Sequence, residues 1–194
     1  MLQTASPLNP EAHYDEPALP AGMTLWQVIQ EDWIAHGRDW TKPGWRAVAV
    51  HRFGVWRMSV RSKLLRAPLT VLYRMLYRKV RNTYGIELPY TVNLGRRVII
   101  EHQGDIVIHG YCTIGDDSII RQGVTMGLRY LNQPFDAPKL GARVNVGAGA
   151  KLFGKITIGD DVNIGANAVV LSDIPAGATA VGVPAKVIDR RVTS

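Results

Sequence analysis

The sequence has a single cysteine, Cys112, and its first part contains no long apolar run. One cysteine excludes a disulfide within the chain, which suits a reducing compartment. Residues 1–22 are polar and proline-rich, unlike the apolar core of a signal peptide or a membrane span. We therefore expect a cytoplasmic protein in which residues 1–23 form a disordered or loosely docked arm.

Acidic residues are missing from a long internal segment. Between Lys42 and Ile86 the chain carries eleven Lys and Arg and no Asp or Glu, within a net charge of +7. A solvated helical face with sites for an anionic cofactor would explain this charge, and so would contact with the inner face of a membrane. No nucleic-acid reader motif accompanies the charge, so we expect no nucleic-acid partner.

The second half of the chain has an aliphatic residue at every sixth position, in three runs. The thirteen grid residues are Leu88, Leu94, Ile100, Ile108, Ile114, Ile120, Met126, Leu140, Val146, Leu152, Ile158, Ile164 and Val170. A helix repeats every 3.6 residues and an ordinary strand every 2, so neither explains the grid. A period of six is typical of a β-helix, in which three hexapeptides close one triangular coil of about 18 residues.

A second set of residues, four places after most grid positions, is small or β-branched, as at Cys112, Ala150 and Ala168. We expect both sets to point inward, where stacking between coils supplies the core. Hexapeptide coils of this kind wind left-handed, against the usual crossover rule. The predicted fold class is α+β: an α-helical domain over residues 24–84, then a left-handed parallel β-helix over residues 85–188 and a tail over residues 189–194.

Three helices are predicted before the β-helix. Thr24 is a suitable N-cap for the first helix, and Gly37 can end it in the left-handed conformation. A second helix is expected from about residue 45 to residue 60. Pro68 fits the first turn of a third helix, which residues 82–85 end.

The six-residue grid is interrupted twice. Two residues are inserted between Ile100 and Ile108, and a protruding loop is expected from Gly127 to Lys139. Irregularities on a regular scaffold are where function tends to lie. His102 falls in the first interruption, where it can project from the coil wall, and an imidazole with a pKa near neutral can serve as a general base.

Several motifs on this scaffold resemble a known family. They are Arg52-Phe53-Gly54-Val55-Trp56, Ile100-Glu101-His102, Gly104 to Ile108, Gln122 to Gly127, Gly147 to Lys151 and Ala180 to Lys186. Together they are similar to the serine O-acetyltransferases, within the hexapeptide acyltransferase superfamily. The resemblance implies acetyl transfer from acetyl-CoA to a hydroxyl by a homotrimer with active sites between subunits. It leaves a dimer of trimers open.

The resemblance also implies catalytic roles. His102 matches the family's catalytic histidine, so it would act as the general base. Glu87 stands fifteen residues upstream, where the family usually carries an Asp that orients the imidazole. Backbone amides near Gly127 are candidates for stabilising the tetrahedral oxyanion.

Acetyl-CoA would be bound mostly by backbone groups at small residues. The predicted cofactor-binding residues are Gly127, Gly147, Ala148, Gly149, Ala150, Lys151, Gly165, Ala166 and Lys186. Lys186 could meet the nucleotide phosphates. For each glycine, a corner that needs a small residue is at least an equally good explanation. No metal is expected.

The acceptor site departs from the family pattern. Asp39 and Glu101 match family carboxylates that contact the acceptor. Asp136 and Ala137 replace the Arg-His pair that meets the carboxylate of serine, and Arg129 is a candidate to compensate. Because this removes a bidentate anion clamp, the sequence favours a sugar hydroxyl in polysaccharide or glycoconjugate assembly. L-serine remains the alternative acceptor.

Two other functional classes stay open on the sequence alone. A non-enzymatic β-helix scaffold would explain the grid but not a Glu and a His at the family's spacing. A zinc hydratase on the same fold would need three histidine ligands. The predicted β-helix offers only His102 and His109.

Overall fold

The computed structural model describes residues 17–188. The helices are α1 (Leu25–Ala35), α2 (Pro43–Trp56), a 3-10 turn (Arg57–Ser59) and α3 (Lys63–Tyr84). The strands are β1 (Ile86–Glu87), β2 (Asn93–Leu94), β3 (Ile99–Glu101), β4 (Ile106–Ile108), β5 (Thr113–Ile114), β6 (Ile119–Arg121), β7 (Thr125–Gly127), β8 (Lys139–Leu140), β9 (Asn145–Val146), β10 (Lys151–Phe153), β11 (Thr157–Ile158), β12 (Asn163–Ile164), β13 (Val169–Val170), β14 (Thr179–Val181) and β15 (Lys186–Ile188). The predicted tail, and the predicted arm up to residue 16, lie outside the described residues.

The strands form three sheets that make the faces of a triangular prism. Sheet A runs β1-β4-β7-β10-β13, sheet B runs β2-β5-β8-β11, and sheet C runs β3-β6-β9-β12-β14-β15. Neighbouring strands are parallel except for β15, which returns antiparallel to β14. Each of the five coils adds one strand to sheet A. The prediction of a left-handed parallel β-helix is confirmed.

The interior of the prism contains both predicted sets of side chains. All thirteen grid residues are 5% exposed or less, and the smaller set, including Cys112, is equally buried. Burial raises the pKa of the Cys112 thiol to about 12. The period of six is therefore the number of residues between equivalent inward-pointing positions on successive faces of the prism. The predicted loop leaves the prism between β7 and β8, and Leu131 near its tip is 94% exposed.

The first two helices agree with the sequence prediction. Thr24 caps α1 through a capping box, in which its hydroxyl accepts from the Gln27 N–H (3.4 Å) and the Gln27 side chain accepts from the Thr24 N–H (2.8 Å). Gly37 follows α1 in the left-handed conformation, with φ of 76°. The 3-10 turn continues α2 to Ser59.

The third helix begins earlier than predicted. It starts at Lys63, so Pro68 is the sixth residue of α3 instead of lying in its first turn. A proline inside a helix removes one backbone hydrogen bond, and the long helix retains its others. The predicted end is correct, because Gly85 caps the helix with a left-handed φ of 63°. Within residues 17–188 no helix combines the length and the apolarity needed to cross a bilayer.

Side chains of α2 close the open end of the β-helix. The strands of the first coil lie at sheet edges or near them, where backbone groups lack a strand partner. The His51 ring bonds the Val92 carbonyl through Nε2 (2.9 Å). Arg52 donates to the carbonyls of Leu94 (2.7 Å) and Gly95 (2.5 Å). Burial lowers the pKa of His51 to about 3, so this contact is made by a neutral ring.

A buried ion pair ties α1 to α2 above that coil. Arg52 Nε lies 2.9 Å from Asp32 Oδ2, and both side chains are almost fully buried. Removing one partner of such a pair leaves an uncompensated buried charge, which costs about 3–5 kcal/mol. The helices are therefore docked on the β-helix in one orientation, which positions the loop between α1 and α2.

Candidate active site

His102 projects from one corner of the prism, where sheet C passes into sheet A. The register of β3 against β6 continues to Glu101. The backbone ladder resumes where Gly123 donates to the Gly104 carbonyl (2.9 Å). The first coil therefore has two residues more than the second at this corner, and they are His102 and Gln103.

The extra residues hold the His102 ring outside the coil wall. His102 has a left-handed φ of 67°, an uncommon conformation for a residue other than glycine. Its side chain is exposed. Within the described residues it makes no hydrogen bond or ion pair. A ring presented in this way is available to accept a proton from an incoming hydroxyl.

Several predicted acetyl-CoA residues continue this corner on the lower coils. Gly149 donates to the Gln122 carbonyl (2.9 Å), and Asn167 donates to the Ala148 carbonyl (2.8 Å). We call this line the open edge: residues 102–105, 122–123, 148–149 and 166–167. On the coils below His102 four of its side chains are small (Gly123, Ala148, Gly149 and Ala166), and the other two are Gln122 and Asn167. Neighbouring coils are about 4.8 Å apart, so the edge runs for about 14 Å from the first coil to the fourth.

Coil stacking by itself explains three of the predicted cofactor glycines. A Cβ on Gly147 would lie 2.6 Å from the Ala166 nitrogen, and a Cβ on Gly165 would lie 2.7 Å from Val181 Cγ1. Gly149 has a left-handed φ of 75°. The fold therefore requires glycine at these positions whether or not they also approach a cofactor.

Ala150 and Lys151 follow the open edge but turn away from solvent. Ala150 is fully buried inside the prism. The Lys151 ammonium donates to the Gly123 carbonyl (2.6 Å) and to the Thr125 hydroxyl (3.0 Å). In this structure the amine of Lys151 is bound to the coil wall.

Two other predicted cofactor residues lie away from His102. Gly127 ends β7 at the side of sheet A that leads to sheet B, and a Cβ there would meet the Phe153 ring at 3.6 Å. Lys186 is exposed and begins β15, the last strand of sheet C. Neither residue is part of the open edge.

Glu87 lies on sheet A close to the same corner. Its strand pairs with β4, and the preceding Gly85 packs against the Gly104 backbone, with 3.3 Å between its Cβ position and the Gly104 Cα. The Glu87 carboxylate is 4.0 Å from Arg81 Nε. No hydrogen bond joins it to His102 within the described residues. The structure therefore brings Glu87 to the corner without forming the predicted pair.

The loop between α1 and α2, which contains Asp39, is anchored on β3, the strand that precedes His102. On one side of the loop, the His36 ring accepts from the Ile100 N–H (3.2 Å). On the other side Gly44 packs so closely on Ile100 that a Cβ would overlap its carbonyl. Both residues contact Ile100, which lies two residues before His102.

His36 is a supporting residue to which the sequence analysis gave no role. Its Nδ1 bonds the Asp32 carbonyl (2.6 Å), which makes Nδ1 the protonated nitrogen and leaves Nε2 to accept from Ile100. Burial lowers the pKa of His36, which favours this neutral ring. An isolated histidine in a helix gives no sequence pattern from which this contact could be predicted.

Asp39 is held as a charged carboxylate. Its Oδ1 accepts from the Thr41 hydroxyl (2.6 Å) and from the Thr41 N–H (2.8 Å). The bonds from Thr41, with the nearby Lys42 and Arg46, hold the pKa of Asp39 below its usual value. This carboxylate can still accept a hydrogen bond from a hydroxyl or an ammonium group.

Glu101 is paired with an arginine on the next coil. Arg121 Nε lies 2.8 Å from Glu101 Oε2, and the same guanidinium donates to Asn145. The Arg121 side chain is 29% exposed. The sequence analysis missed Arg121, although it stands in register below Glu101 at an outward position and could have been found by aligning the coils.

The protruding loop leaves a different corner of the prism, between sheets A and B. Its Phe135 ring packs on Tyr111 with the ring centres 5.0 Å apart, and Tyr111 lies 5.5 Å from the His109 ring. These two residues follow β4 on the way to sheet B. The loop is therefore attached at the far side of sheet A from the open edge.

The two acceptor residues predicted in this loop do not meet His102. Arg129 packs on Tyr130, with its guanidinium 5.5 Å from the ring centre. Asp136 is half-buried at the base of the loop. The structure thus separates the predicted acceptor residues. Glu101 directly precedes the open edge and Asp39 lies in a loop anchored on the same strand, whereas Arg129 and Asp136 lie at the other corner.

Comparison with known proteins relates most of the chain to one group of enzymes. No protein-family model matches it. The serine acetyltransferase of Helicobacter pylori (strain J99 / ATCC 700824) is 40% identical over 176 residues, which cover 89% of this chain and 98% of that protein. The serine acetyltransferase of Staphylococcus xylosus is 39% identical over 134 residues, which cover 69% of this chain and 62% of that protein.

Solved structures of the same enzymes share the architecture. Soybean serine acetyltransferase without ligand superimposes with a TM-score of 0.72 at 28% identity, over 84% of this chain and 69% of that one. Serine acetyltransferase from Brucella abortus strain S19 in complex with coenzyme A superimposes with a TM-score of 0.71 at 26% identity, over 84% of this chain and 67% of that one. The similarity covers most of the described residues.

Proposed function

Because the chain belongs to the serine acetyltransferase family and is an acyltransferase, we propose that it transfers the acetyl group of acetyl-CoA to the hydroxyl of L-serine. The relatives support this acceptor better than the sugar hydroxyl that the sequence analysis favoured. The observation that carries the proposal is the exposed His102 ring at the head of the open edge.

The proposed reaction uses His102 as a general base and then as a general acid. The imidazole takes the hydroxyl proton while the oxygen attacks the thioester carbonyl, which gives a tetrahedral intermediate. The carbon–sulfur bond then breaks, and the leaving thiolate takes the proton from the imidazolium. The products are the O-acetyl ester and coenzyme A. Such a base contributes roughly 10² to 10⁴ in rate.

Acetyl-CoA is proposed to lie along the open edge below His102. The small side chains of Ala148 and Ala166 leave room beside the backbone for a long, thin ligand. Lys186, at the end of the β-helix, is the proposed contact for the nucleotide phosphates. A Lys186→Gln variant should weaken coenzyme A binding in calorimetry. Unchanged affinity would remove this lysine from the proposed site.

Glu87 is proposed as a positioning residue for His102. Its present partner, Arg81, is 4.0 Å away and exposed, so the carboxylate can turn to the ring at little cost. A Glu87→Gln variant should then lower kcat with little change in KM, and Glu87→Asp should restore much of it. If Gln and Asp variants are equally active, the carboxylate has no such role.

The active site is proposed to form between subunits of a homotrimer. Arg129 and Asp136 are attached at a different corner from His102, so they can approach that ring only from a second copy of the chain. Mixing an inactive His102→Ala chain with an inactive chain lacking residues 129–136 should restore part of the activity. A fully active monomer in sedimentation analysis would contradict the proposal, and a mass of six chains would indicate the dimer of trimers.

Arg121 is the proposed partner for the carboxylate of serine. It stands in register with Glu101 on the next coil, and among the residues that the structure describes two of its three nitrogens are engaged, Nε by Glu101 and Nη1 by Asn145. Asp39 and Glu101 would accept from the serine ammonium. L-serine should therefore be a better substrate than its neutral carboxamide by about tenfold or more. The Arg121→Gln variant should lose this preference, and equal use of both compounds by the wild type would exclude a carboxylate clamp.

A sugar hydroxyl remains the second candidate acceptor, because Asp136 stands where the family's arginine meets a carboxylate. An Asp136→Arg variant should raise serine turnover if this position faces the acceptor. The adjoining Ala137 is only 3% exposed and packs in the core, so histidine cannot be introduced there without disruption. Faster acetylation of a neutral sugar than of L-serine by the wild type would favour this second function.

A further inference from the structure

The outward side of α3 carries a row of exposed apolar side chains. Six of them define what we call the outer face: Leu64, Leu65, Pro68, Val71, Leu72 and Met75. The most exposed are Leu64 (87%), Leu65 (65%) and Met75 (62%). The opposite side of the helix buries Tyr73 and Val80 against the rest of the protein. A contiguous exposed apolar row of this kind usually marks an interaction surface.

The spacing of these residues places them on one side of the helix. Positions 64, 68, 71, 72 and 75 recur at intervals of three and four, which is the period of a helix face. At 1.5 Å per residue, the 22 residues of α3 extend about 33 Å. The outer face is therefore a stripe along the first half of a long surface helix.

Unpaired cations surround the outer face. Arg61, Lys63, Arg74, Arg78 and Lys79 are exposed, and they make no ion pair with any other described residue. The stretch from Lys42 to Ile86 contains no acidic side chain that could neutralise them. Apolar side chains within a rim of free cations are the pattern of a helix that lies in the interface of an anionic membrane.

We propose that the outer face of α3 binds the surface of an anionic lipid bilayer, with the helix parallel to the membrane plane. The apolar row enters the boundary between headgroups and acyl chains, and the flanking Arg and Lys contact lipid phosphates. A second copy docked through its own outer face is the less suitable partner, because pairing two such faces would bring cations of the same sign together without any carboxylate between them.

Vesicle cosedimentation of the full-length protein tests this proposal. Wild type should sediment with vesicles of phosphatidylcholine containing phosphatidylglycerol, and should bind at least tenfold more weakly to phosphatidylcholine alone or in 0.5 M salt. The variant Arg74→Gln/Arg78→Gln/Lys79→Gln should lose roughly fivefold in affinity for each cation removed. Equal binding to both vesicle types, or no binding to either, would overturn the proposal.

A second variant separates lipid binding from self-association. Leu64→Ser/Leu72→Ser/Met75→Ser should abolish sedimentation with anionic vesicles. Trp26→Ser, which alters an apolar side chain of α1 that is 73% exposed, should leave it unchanged. Both variants should keep wild-type acetyl transfer to a soluble acceptor, which shows that they are folded. The proposal is wrong if the wild type does not bind vesicles and the triple variant has a lower mass than the wild type in sedimentation analysis. In that case the outer face binds a second copy of the chain.

Discussion

Two corners of the same prism use different residue types where the backbone must adopt a left-handed conformation. At the corner between sheets B and C, the chain adopts a left-handed conformation at Arg97, Asp117, Arg143 and Asp161, with φ between 53° and 59°. At the open edge the equivalent left-handed positions include Gly123 and Gly149. The first corner uses charged residues on four coils and Gly177 on the last, whereas the open edge uses Asp105, Gly123, Gly149 and Asn167.

At the charged corner, the side chains of neighbouring coils neutralise one another in ion pairs. Arg97 binds Asp117 through two bonds (2.6 and 2.7 Å), and Arg143 binds Asp161 in the same way. We call this line the ladder edge. Its polar groups already have partners, so it has little capacity for a ligand. The open edge has mostly small side chains on the coils below His102, and its exposed histidine has no partner within the described residues. The difference indicates which corner can bind a substrate.

The largest expected effect comes from removing the imidazole of the open edge. His102→Ala should lower kcat for acetyl transfer by at least about 10², because the acceptor hydroxyl then has no base. Coenzyme A affinity in calorimetry should remain. His109→Ala changes a histidine at the other end of sheet A and should stay within a few-fold of wild type. Near-normal turnover by His102→Ala would remove the main difference between the two corners.

Blocking the open edge should have the next largest effect. Ala166→Trp adds a bulky side chain where the pantetheine arm is proposed to lie, so KM for acetyl-CoA should rise by tenfold or more. Ala176→Trp, at an exposed position on the ladder edge, serves as the matched control. Steady-state kinetics measure both variants. Equal KM values for the two would show that the cofactor does not use the open edge.

A stability measurement can test the role of glycine at the two corners. Gly149→Ala puts a Cβ on a left-handed residue, where it would also overlap the Asn167 side chain. The left-handed conformation alone costs an alanine about 1–2 kcal/mol of stability. Gly177→Ala, with φ of 71° and open space around it, isolates that cost on the ladder edge. Urea unfolding should show the larger loss for Gly149→Ala, and the reverse order would contradict the packing described here.

The smallest expected effect concerns one ion pair of the ladder edge. Asp117→Asn should reduce the free energy of unfolding at pH 7 by only about 0.5 kcal/mol, because the pair is partly exposed. The bond from Arg97 holds the pKa of Asp117 below its ordinary value of 3.8. The contribution is therefore fully present above that value and is lost as the pH falls through the lowered pKa.

Unfolding curves at several pH values check this sign. The difference between wild type and Asp117→Asn should shrink below about pH 4 and vanish at lower pH. Asp105→Asn is the control on the open edge, where the carboxylate makes no ion pair within the described residues, so it should show no such difference. A constant difference across the pH range would mean that the Arg97–Asp117 charge pair is not the cause.

Much of the fold followed from local patterns. The grid predicted which side chains enter the prism, because a hexapeptide coil repeats the same inward position on every face. The caps at Thr24 and Gly85 predicted helix ends through their backbone chemistry. The start of α3 was mispredicted at Pro68, because a long helix packed on its neighbours tolerates the one hydrogen bond that proline removes.

The candidate site was predictable only in part. His102 stood out because it interrupts a period, and interruption is visible in one sequence. Arg121 and His36 did not, because their roles depend on which residues of other elements lie beside them. The separation of Asp136 from His102 could not be predicted either, because a sequence motif does not indicate at which corner of the prism a loop begins.

The repeating pattern along the chain was sufficient to predict a stacked triangular β-helix, because neither a helix nor an ordinary strand repeats every six residues. The same pattern singled out His102, because that residue lies where the repeat is interrupted. Three-dimensional packing decided which corner is open, which carboxylates approach His102 and which side of α3 stays uncovered. Those properties depend on the register between coils and on the buried contacts that dock the helices, and neither is a property of any one segment.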